Sequence, residues 1–366
     1  MRLSLPGLIV VTLALASPVM AQRVELPSQG LENRIEFWKK VYTQFGENDV
    51  IIHDRIHVNL IYDVAARGEQ APKIAAVEQA LDEIRANLTT PENLSLTSKQ
   101  IRDAIKANGV PLTDSSLSDL RDNVHTQIGI KERFREGVIR SGRYIEAFQE
   151  IFDSAGLPSD IALLPLVESS FENRALSSAG AAGIWQFTRG TGKLYMAVGR
   201  KVDERLDPTK ATRAAARLLR DNYTALGSWP LAITAYNHGR AGMLRAQSEV
   251  GSSEITKIID DYKGRLFGYA SMNFYSEFLA AVEVYKGSEQ YFGQLTLDRP
   301  STPAKAAPKV KAVQTAKASP ADQYKVRKGD TLTEIAQKFG LSVRELMDTN
   351  NLRNSVIHAG QILLLR

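Results

Sequence analysis

Apolar residues recur at helical spacing through most of the chain. Residues 72–88 and 98–107 carry them at three- and four-residue intervals, and 115–128 does so more weakly, so each predicts a helix with one buried face. A longer basic and apolar run predicts a single helix over 131–155, ending at Gly156. Leu157-Pro158-Ser159-Asp160 reads as a helix start, with Pro near the first turn and Asp close behind. The helix it opens reaches Glu168 and is kinked by Pro165. Gly180, Gly183, Gly190 and Gly192 then punctuate a loop-rich stretch. Asp207-Pro208 starts a helix that runs to Gly227, and two more cover Trp229 to Tyr236 and Phe274 to Tyr285. Residues 50–64 break the pattern: Val50-Ile51-Ile52-His53-Asp54 and Val58-Asn59-Leu60-Ile61-Tyr62 read as strands paired in a hairpin. There is no internal repeat. The expected fold class is mainly α (α+β).

Two segments leave this pattern and set the domain limits. Residues 1–21 have Arg2, an apolar stretch from Leu8 to Leu15, and Val19-Met20-Ala21 with small residues at the usual cleavage positions, which reads as a secretory signal. The stretch is too short and too broken by Pro6 and Pro18 for a convincing membrane span, although an uncleaved anchor stays open. Residues 299–323 are rich in Pro, Ala and Lys and lack aromatic residues and apolar periodicity, so they read as an extended, solvated linker. That leaves a helical N-terminal region (22–156), a helical body (157–298) and a small module (324–366). Nothing in 22–156 resembles a motif; it walls off one end of a binding cleft or docks a partner.

Composition is that of an ordinary globular chain of 366 residues, with no cysteine. An exported protein of this kind has no disulfides and no cysteine for a lipid anchor, so the expected location is the periplasm. The net charge of +5 is uneven: residues 299–366 hold 12 Lys+Arg against 5 Asp+Glu, leaving 34 against 36 for the rest. Attraction to an anionic wall or membrane surface explains a basic tail better than nucleic acid does.

The candidate chemistry centres on Glu168. It closes the apolar run Ile161-Ala162-Leu163-Leu164-Pro165-Leu166-Val167. A carboxylate beside that much hydrocarbon is poorly solvated, so its pKa should rise, and an acid still protonated near neutrality is what glycosidic cleavage needs. Gly183-Ile184-Trp185-Gln186 and Ala235-Tyr236-Asn237 are polar and aromatic clusters of the kind that hold sugars, with amides suited to N-acetyl and hydroxyl groups. Trp185 either stacks on a sugar face or fills the core behind the loop. A second carboxylate is not evident: Glu172 reads as a solvated or Arg174-paired group, and Asp203 and Asp207 flank Arg205 as structural pairs or caps. His53, His57, His125, His238 and His358 do not form a metal motif, and a surface role is the default for all five. No metal and no cofactor are expected.

Glu168-Ser169, Ser177-Ser178-Ala179-Gly180-Ala181, Gly183-Ile184-Trp185-Gln186-Phe187, Asp203-Glu204-Arg205-Leu206-Asp207-Pro208 and Ala235-Tyr236-Asn237 together resemble the lytic transglycosylase catalytic domain, which is lysozyme-like. The resemblance spans roughly 157–285. It implies that Glu168 protonates the oxygen between MurNAc and GlcNAc, then takes the proton from the MurNAc C6 hydroxyl, which closes on C1 to give a 1,6-anhydro sugar. It also implies that Gln186 lies in the substrate cleft, with Tyr236 and Asn237 beside the acid. Tyr275 matches a cleft tyrosine of the family, while Ser169 shapes the acid's surroundings and Ser177 contacts the glycan. Residues 324–366 resemble a LysM domain, a βααβ unit that binds GlcNAc-containing glycans. Ile335, Phe339 and Leu346 should fill its small core. The family's groove maps to Gly329, Asp330, Thr331 and Leu332, and to Val356, Ile357 and His358, with Asp330 either capping or touching sugar. The expected partner is the glycan strand of peptidoglycan, not nucleic acid, with peripheral wall or membrane association. A hydrolase of the same fold and an inactive wall-binding scaffold remain as alternatives.

Overall fold

The computed structural model describes residues 26–300 and, in the C-terminal part, 323–327, 330, 332–339, 346, 350 and 360–365. The two parts are separate compact units, divided after Pro300. The expected signal and all but the ends of the expected linker lie outside the described residues. The first unit begins with α1 (Glu32–Thr43), β1 (Asp49–Asp54), β2 (Ile61–Ala66), α2 (Gln70–Ala86), α3 (Leu96–Ala107), α4 (Asp114–Asp122) and β3 (Val124–Ile128). It continues with α5 (Lys131–Ser141), α6 (Ile145–Ser154), α7 (Pro165–Glu168), α8 (Arg189–Tyr195), α9 (Pro208–Leu226) and α10 (Trp229–His238). It closes with α11 (Arg240–Val250), α12 (Ile255–Asp261), α13 (Tyr269–Lys286) and α14 (Ser288–Phe292). The second unit holds β4 (Gln323–Lys325), α15 (Leu332–Lys338) and β5 (Ile362–Leu364).

The hairpin expected over 50–64 forms with its second strand displaced from Val58–Tyr62 to Ile61–Ala66, and the two strands belong to a three-stranded antiparallel sheet with β1 in the middle. Its third strand was not foreseen, because 115–128 reads as a weak helix. The helical part ends at Asp122, and Val124-His125-Thr126-Gln127-Ile128 pairs with β1, His125 opposite His53. Residues with branched β-carbons and a free edge on β1 outweigh a weak helical period there.

Alternation along β1 joins two cores. Val50 and Ile52 pack with Val77, Leu81 and Ile84 of α2, Ile101 and Ile105 of α3, and Leu117 and Leu120 of α4. Ile51 points the other way, into the large core that holds Phe37 and Trp38 of α1, Leu164, Leu166, Trp185 and much of α9, α10 and α13. α1 itself lies along α13, and Tyr42 stacks on Phe134 of α5 with ring centres 4.4 Å apart. Residues 26–156 are therefore not a free-standing domain before the body; a large share of the body's core comes from them.

Two helices differ from the sequence reading for local reasons. The long helix over 131–155 is broken between Ser141 and Ile145, where Gly142 lies against the backbone of Asp298 and Ile139 O accepts from Asp298 N at 2.9 Å. A side chain on Gly142 would collide with that segment, so the break makes room for the end of the unit. The 157–168 helix is a 3-10 turn over Ser159–Leu163 followed by the four-residue α7. Pro165 stands in the first turn of α7 instead of kinking a continuous helix, since its missing N–H costs nothing there.

His53 corrects the expectation of a surface role. It is 0% exposed, its ring lies 4.5 Å from Phe37, and Tyr269 Oη lies 3.3 Å from its Nε2. Burial, reinforced by the charge of His125, pushes its pKa down to about 3, so the ring is neutral. In the second unit β4 and β5 pair antiparallel, with Val326, Leu332, Ile335, Ala336, Leu346 and Leu363 packed between them and α15. Phe339, expected in that core, is instead 38% exposed, with its ring 5.3 Å from Tyr324. The second helix of the expected βααβ order lies outside the described residues, apart from Leu346.

Because α1 and β1 complete the core around α13, a fragment starting at Leu157 should expose much of that core. It is expected to show no cooperative thermal transition by circular dichroism, whereas one starting at Leu26 melts cooperatively. A cooperative melt of the shorter fragment would refute this shared core.

Candidate active site

Glu168 is the last residue of α7, and the chain turns back immediately after it. Ser170 and Phe171 have φ values of 51° and 57°, a left-handed pair without glycine. Such residues cost about 1–2 kcal/mol each. They are held because Phe171 N and Ser169 N both donate to Pro165 O, at 3.1 and 3.0 Å. The buried Phe171 ring stacks near Phe148, and Arg140 Nε donates to Ser170 O at 2.9 Å. The turn lifts the Glu168 side chain to the half-exposed edge of the core.

Facing that turn is the loop Gly183–Phe187, whose carbonyls are taken by side-chain donors from four elements. Ser169 Oγ donates to Ile184 O at 2.7 Å, and Tyr236 Oη to Trp185 O at 2.7 Å. Arg205 Nη1 donates to Phe187 O and Gly180 O, each at 2.9 Å, and Gln186 Nε2 donates to Gly183 O at 2.8 Å. Gly183 has φ +82°, and a β-carbon there would lie 1.8 Å from Arg205 O. Gln186 itself sits at φ 47°. Trp185 is wholly buried and donates from Nε1 to Thr212 Oγ1 at 2.8 Å, which settles its two readings in favour of the core.

The acid carries no ion pair and no side-chain hydrogen bond among the described residues. Burial alone raises its pKa to about 8. Tyr236 is pushed well up by burial and then by the charge of Glu168. Asp203 and Asp207 have the structural uses expected of them. The Arg205 guanidinium clamps Asp203 through Nε and Nη2, at 2.9 and 2.7 Å, holding its carboxyl below the usual range. Asp207 caps α9 by accepting from Lys210 N at 3.0 Å. Glu172 is exposed and accepts from Arg174 N.

The other expected site residues divide into those near the acid that brace the loop and those placed elsewhere. Ser169 is buried, and its hydroxyl donates to the loop carbonyl of Ile184. Among the described residues Gln186 Oε1 has no partner, and Asn237 is exposed with Oδ1 accepting from Ser271 Oγ at 3.0 Å and its amide N–H groups unpartnered. Ser177 Oγ accepts from Ala181 N at 3.0 Å, closing its own turn. Tyr275 corrects the expectation: it is 1% exposed, and its hydroxyl donates to Pro27 O at 2.8 Å, leaving no donor for a glycan. In the second unit Asp330 Oδ2 accepts from Arg327 N and Tyr324 Oη, both at 2.8 Å, so it closes the turn after β4. Leu332 is 2% exposed and fills the small core, which removes it from the groove. Gly329, Thr331 and Ile357 lie outside the described residues.

Sequence reasoning missed Glu277. It lies on α13, which packs against α7, and it has no ion-pair or side-chain hydrogen-bond partner among the described residues. Burial raises its pKa to about 8, and the charge of Glu168 contributes to that rise. Its neighbours Phe274, Tyr275 and Phe278 read as a core helix, so composition concealed it; a carboxyl among such residues was the available signal.

Residues 148–259 match the Transglycosylase SLT domain, and 324–366 match the LysM domain. The membrane-bound lytic murein transglycosylases D of Escherichia coli strain K12 and of E. coli O6:H1 strain CFT073 are each 26% identical, with 70% of this chain and 70% of theirs covered. The cell wall-binding protein YocH of Bacillus subtilis (strain 168) is 48% identical over 12% of this chain and 15% of its own.

Two outcomes follow from this geometry. Gly183→Ala forces a β-carbon into Arg205 O and should lower Tm by more than about 6 °C; a smaller shift would show that the loop can relax. Glu168 and Glu277 both bind protons more tightly in the folded chain. The stability linked to them is fully present below about pH 4.5 and is lost as pH rises through about 8. Relative to the parent, Glu168→Gln should therefore melt at least about 3 °C higher at pH 9 and show little difference at pH 4. Equal shifts at both pH values would contradict a raised pKa.

Proposed function

We propose that this chain, which carries an SLT transglycosylase domain and a LysM domain, is a peptidoglycan lytic transglycosylase. It cuts the β-1,4 bond between MurNAc and GlcNAc without water. The observation that carries the reading is a carboxyl without an ion pair among the described residues, Glu168, held protonated up to about pH 8 by burial beside a rigidly braced loop. Glu168 gives its proton to the bridging oxygen as the C1–O bond breaks, and the electron pair leaves with GlcNAc O4. The resulting carboxylate then takes the proton from the MurNAc C6 hydroxyl, whose oxygen bonds to C1. The products are a 1,6-anhydro-MurNAc end and a free GlcNAc 4-hydroxyl, and Glu168 is again protonated.

Glu277 raises a hydrolytic reading, because hydrolases of this kind use two carboxylates. The second of these has to be ionised to act as nucleophile or base. Glu277, with its pKa near 8, is mostly protonated at neutrality and fills that role poorly. Asp203 is committed to Arg205, and Asp207 to its helix cap. A sugar hydroxyl is the nucleophile this site leaves available.

Asn237, through its amide N–H groups, and Gln186, through Oε1, are the polar groups free to meet the glycan. The LysM unit keeps the body near its polymeric substrate through local concentration and leaves the chemistry unchanged. Among the described residues no helix is long and apolar enough to cross a membrane. An exported, periplasmic protein in peripheral contact with the wall fits a murein substrate and the basic tail.

On purified murein, Glu168→Gln should lower release of anhydro-muropeptides by at least about 10³-fold while wall binding in a pull-down is retained. The parent's rate should fall as pH rises through about 8, where the acid form is lost. Mass spectrometry decides between the reactions, since a hydrolysed end is heavier by one water. A digest made only of hydrated ends would overturn the proposal.

A further inference from the structure

Apart from the braced loop, one short hydrogen-bonded relay leads from a wedged imidazole ring to an exposed amide. His238 Nδ1 and Ser271 Oγ lie 3.2 Å apart, and Ser271 Oγ donates to Asn237 Oδ1 at 3.0 Å. Asn237 and His238 are the last two residues of α10, and Ser271 stands in the first turn of α13, which packs against α10. Asn237 is exposed, His238 half-buried and Ser271 buried. We propose that Ser271 and His238 are positioning residues that fix the rotation of the Asn237 amide, so that its N–H groups and not its oxygen meet the glycan. The proposal rests on the peptidoglycan reading above, in which Asn237 touches substrate.

Bonding capacity fixes the arrangement. A serine hydroxyl has a single proton to give. Since Ser271 gives it to Asn237 Oδ1, its contact with His238 is made by accepting, which places a proton on His238 Nδ1. Without that donor the hydroxyl would be free to give its proton to the imidazole. Asn237 would then turn its N–H groups to Ser271 Oγ and its oxygen outward. Donor and acceptor would exchange places on the exposed side, and what the amide can bind would invert. Burial, and then the charge of Arg245, push the His238 pKa down, so the ring acts as a neutral Nδ1–H donor.

The ring is itself held in place. A β-carbon on Gly242 of α11 would lie 2.5 Å from His238 Nε2 and Cδ2, so glycine leaves the space that the imidazole fills. Phe267 meets the ring edge-on, with centres 5.2 Å apart. The last torsion of an asparagine side chain is broad, and an exposed one at a helix end ordinarily turns freely. Here that freedom is removed before any ligand arrives, so the cost of ordering the amide does not fall on binding. The relay leaves the Asn237 N–H groups outward and, among the described residues, without a partner.

A double-mutant cycle in the full chain separates positioning from support of the fold. Cleavage of uncrosslinked glycan strands is followed below saturation, and mass spectrometry counts anhydro and hydrated ends together. Ser271→Ala should lower kcat/KM about five- to tenfold, the worth of one oriented hydrogen bond. In an Asn237→Ala background the same change should have less than about a twofold effect, because no amide remains to orient. His238→Leu should match Ser271→Ala. His238→Asn should restore most of that loss, since its amide nitrogen takes the place of Nδ1, whereas His238→Gln places its nitrogen at Nε2 and should not. A rate unchanged by Ser271→Ala, or lowered equally with and without Asn237, would overturn the proposal, as would equal rescue by Asn and Gln. Alanine is a good helix former, so Ser271→Ala is expected to fold; should it not, His238→Asn against His238→Gln decides. Coupled residues with only hydrated ends keep the relay and lose the transglycosylase reading; anhydro ends with independent residues do the reverse.

Discussion

The desolvation of one carboxyl governs this structure. Among the described residues Glu168 has no cation to neutralise it and no side-chain donor to solvate it, so the core holds it as a neutral acid up to about pH 8. Everything adjacent respects that condition. Arg205, which braces the facing loop, is held by Asp203 and by loop carbonyls. The tyrosine near the acid turns its hydroxyl to Trp185 O. An acid so maintained is suited to protonating a leaving oxygen, and its conjugate base, poorly solvated in the same place, is suited to recovering a proton.

Rigidity is supplied by backbone carbonyls and not by charge. Gly183, Ile184, Trp185 and Phe187 each have their carbonyl capped by a side chain from a different part of the chain or from the loop itself. Three of the residues first read as sugar ligands, Ser169, Gln186 and Tyr236, are among these donors. Their hydrogen bonds fix the loop, and among the described residues Gln186 Oε1 and the Asn237 amide N–H groups on α10 have no partner. The strain at Ser170, Phe171 and Gln186 is confined to this small region, which is where a fixed geometry has chemical use.

The N-terminal region is tied to the same core through one strand. Because β1 alternates, Ile51 enters the catalytic core while Val50 and Ile52 hold the α2–α4 layer. The sheet also carries His53 and His125 to Tyr269, so the region reaches the start of α13. A segment without any motif is thus structurally inseparable from the one that has several.

Sequence by itself determined the local parts. The apolar run before Glu168 announced a desolvated acid, and the ordered clusters at Gly183–Phe187 and Ala235–Asn237 announced the domain, because burial and turn chemistry act over a few residues. Pro165 and Asp207 announced helix starts by the same short-range logic. What depended on distant chain remained hidden. The donors of Ser169 and Tyr236 look available in sequence and are spent in the fold. Tyr275 turns to Pro27, 248 residues away. Leu332 goes to the core of its unit, and β3 is a strand because β1 has an edge to pair. Glu277 meets the acid only because α13 packs on α7. Residue type and spacing state which groups can exist in a site, whereas hydrogen-bond donors and solvation are shared among neighbours that the chain brings together only on folding, and tertiary structure alone decides who receives them.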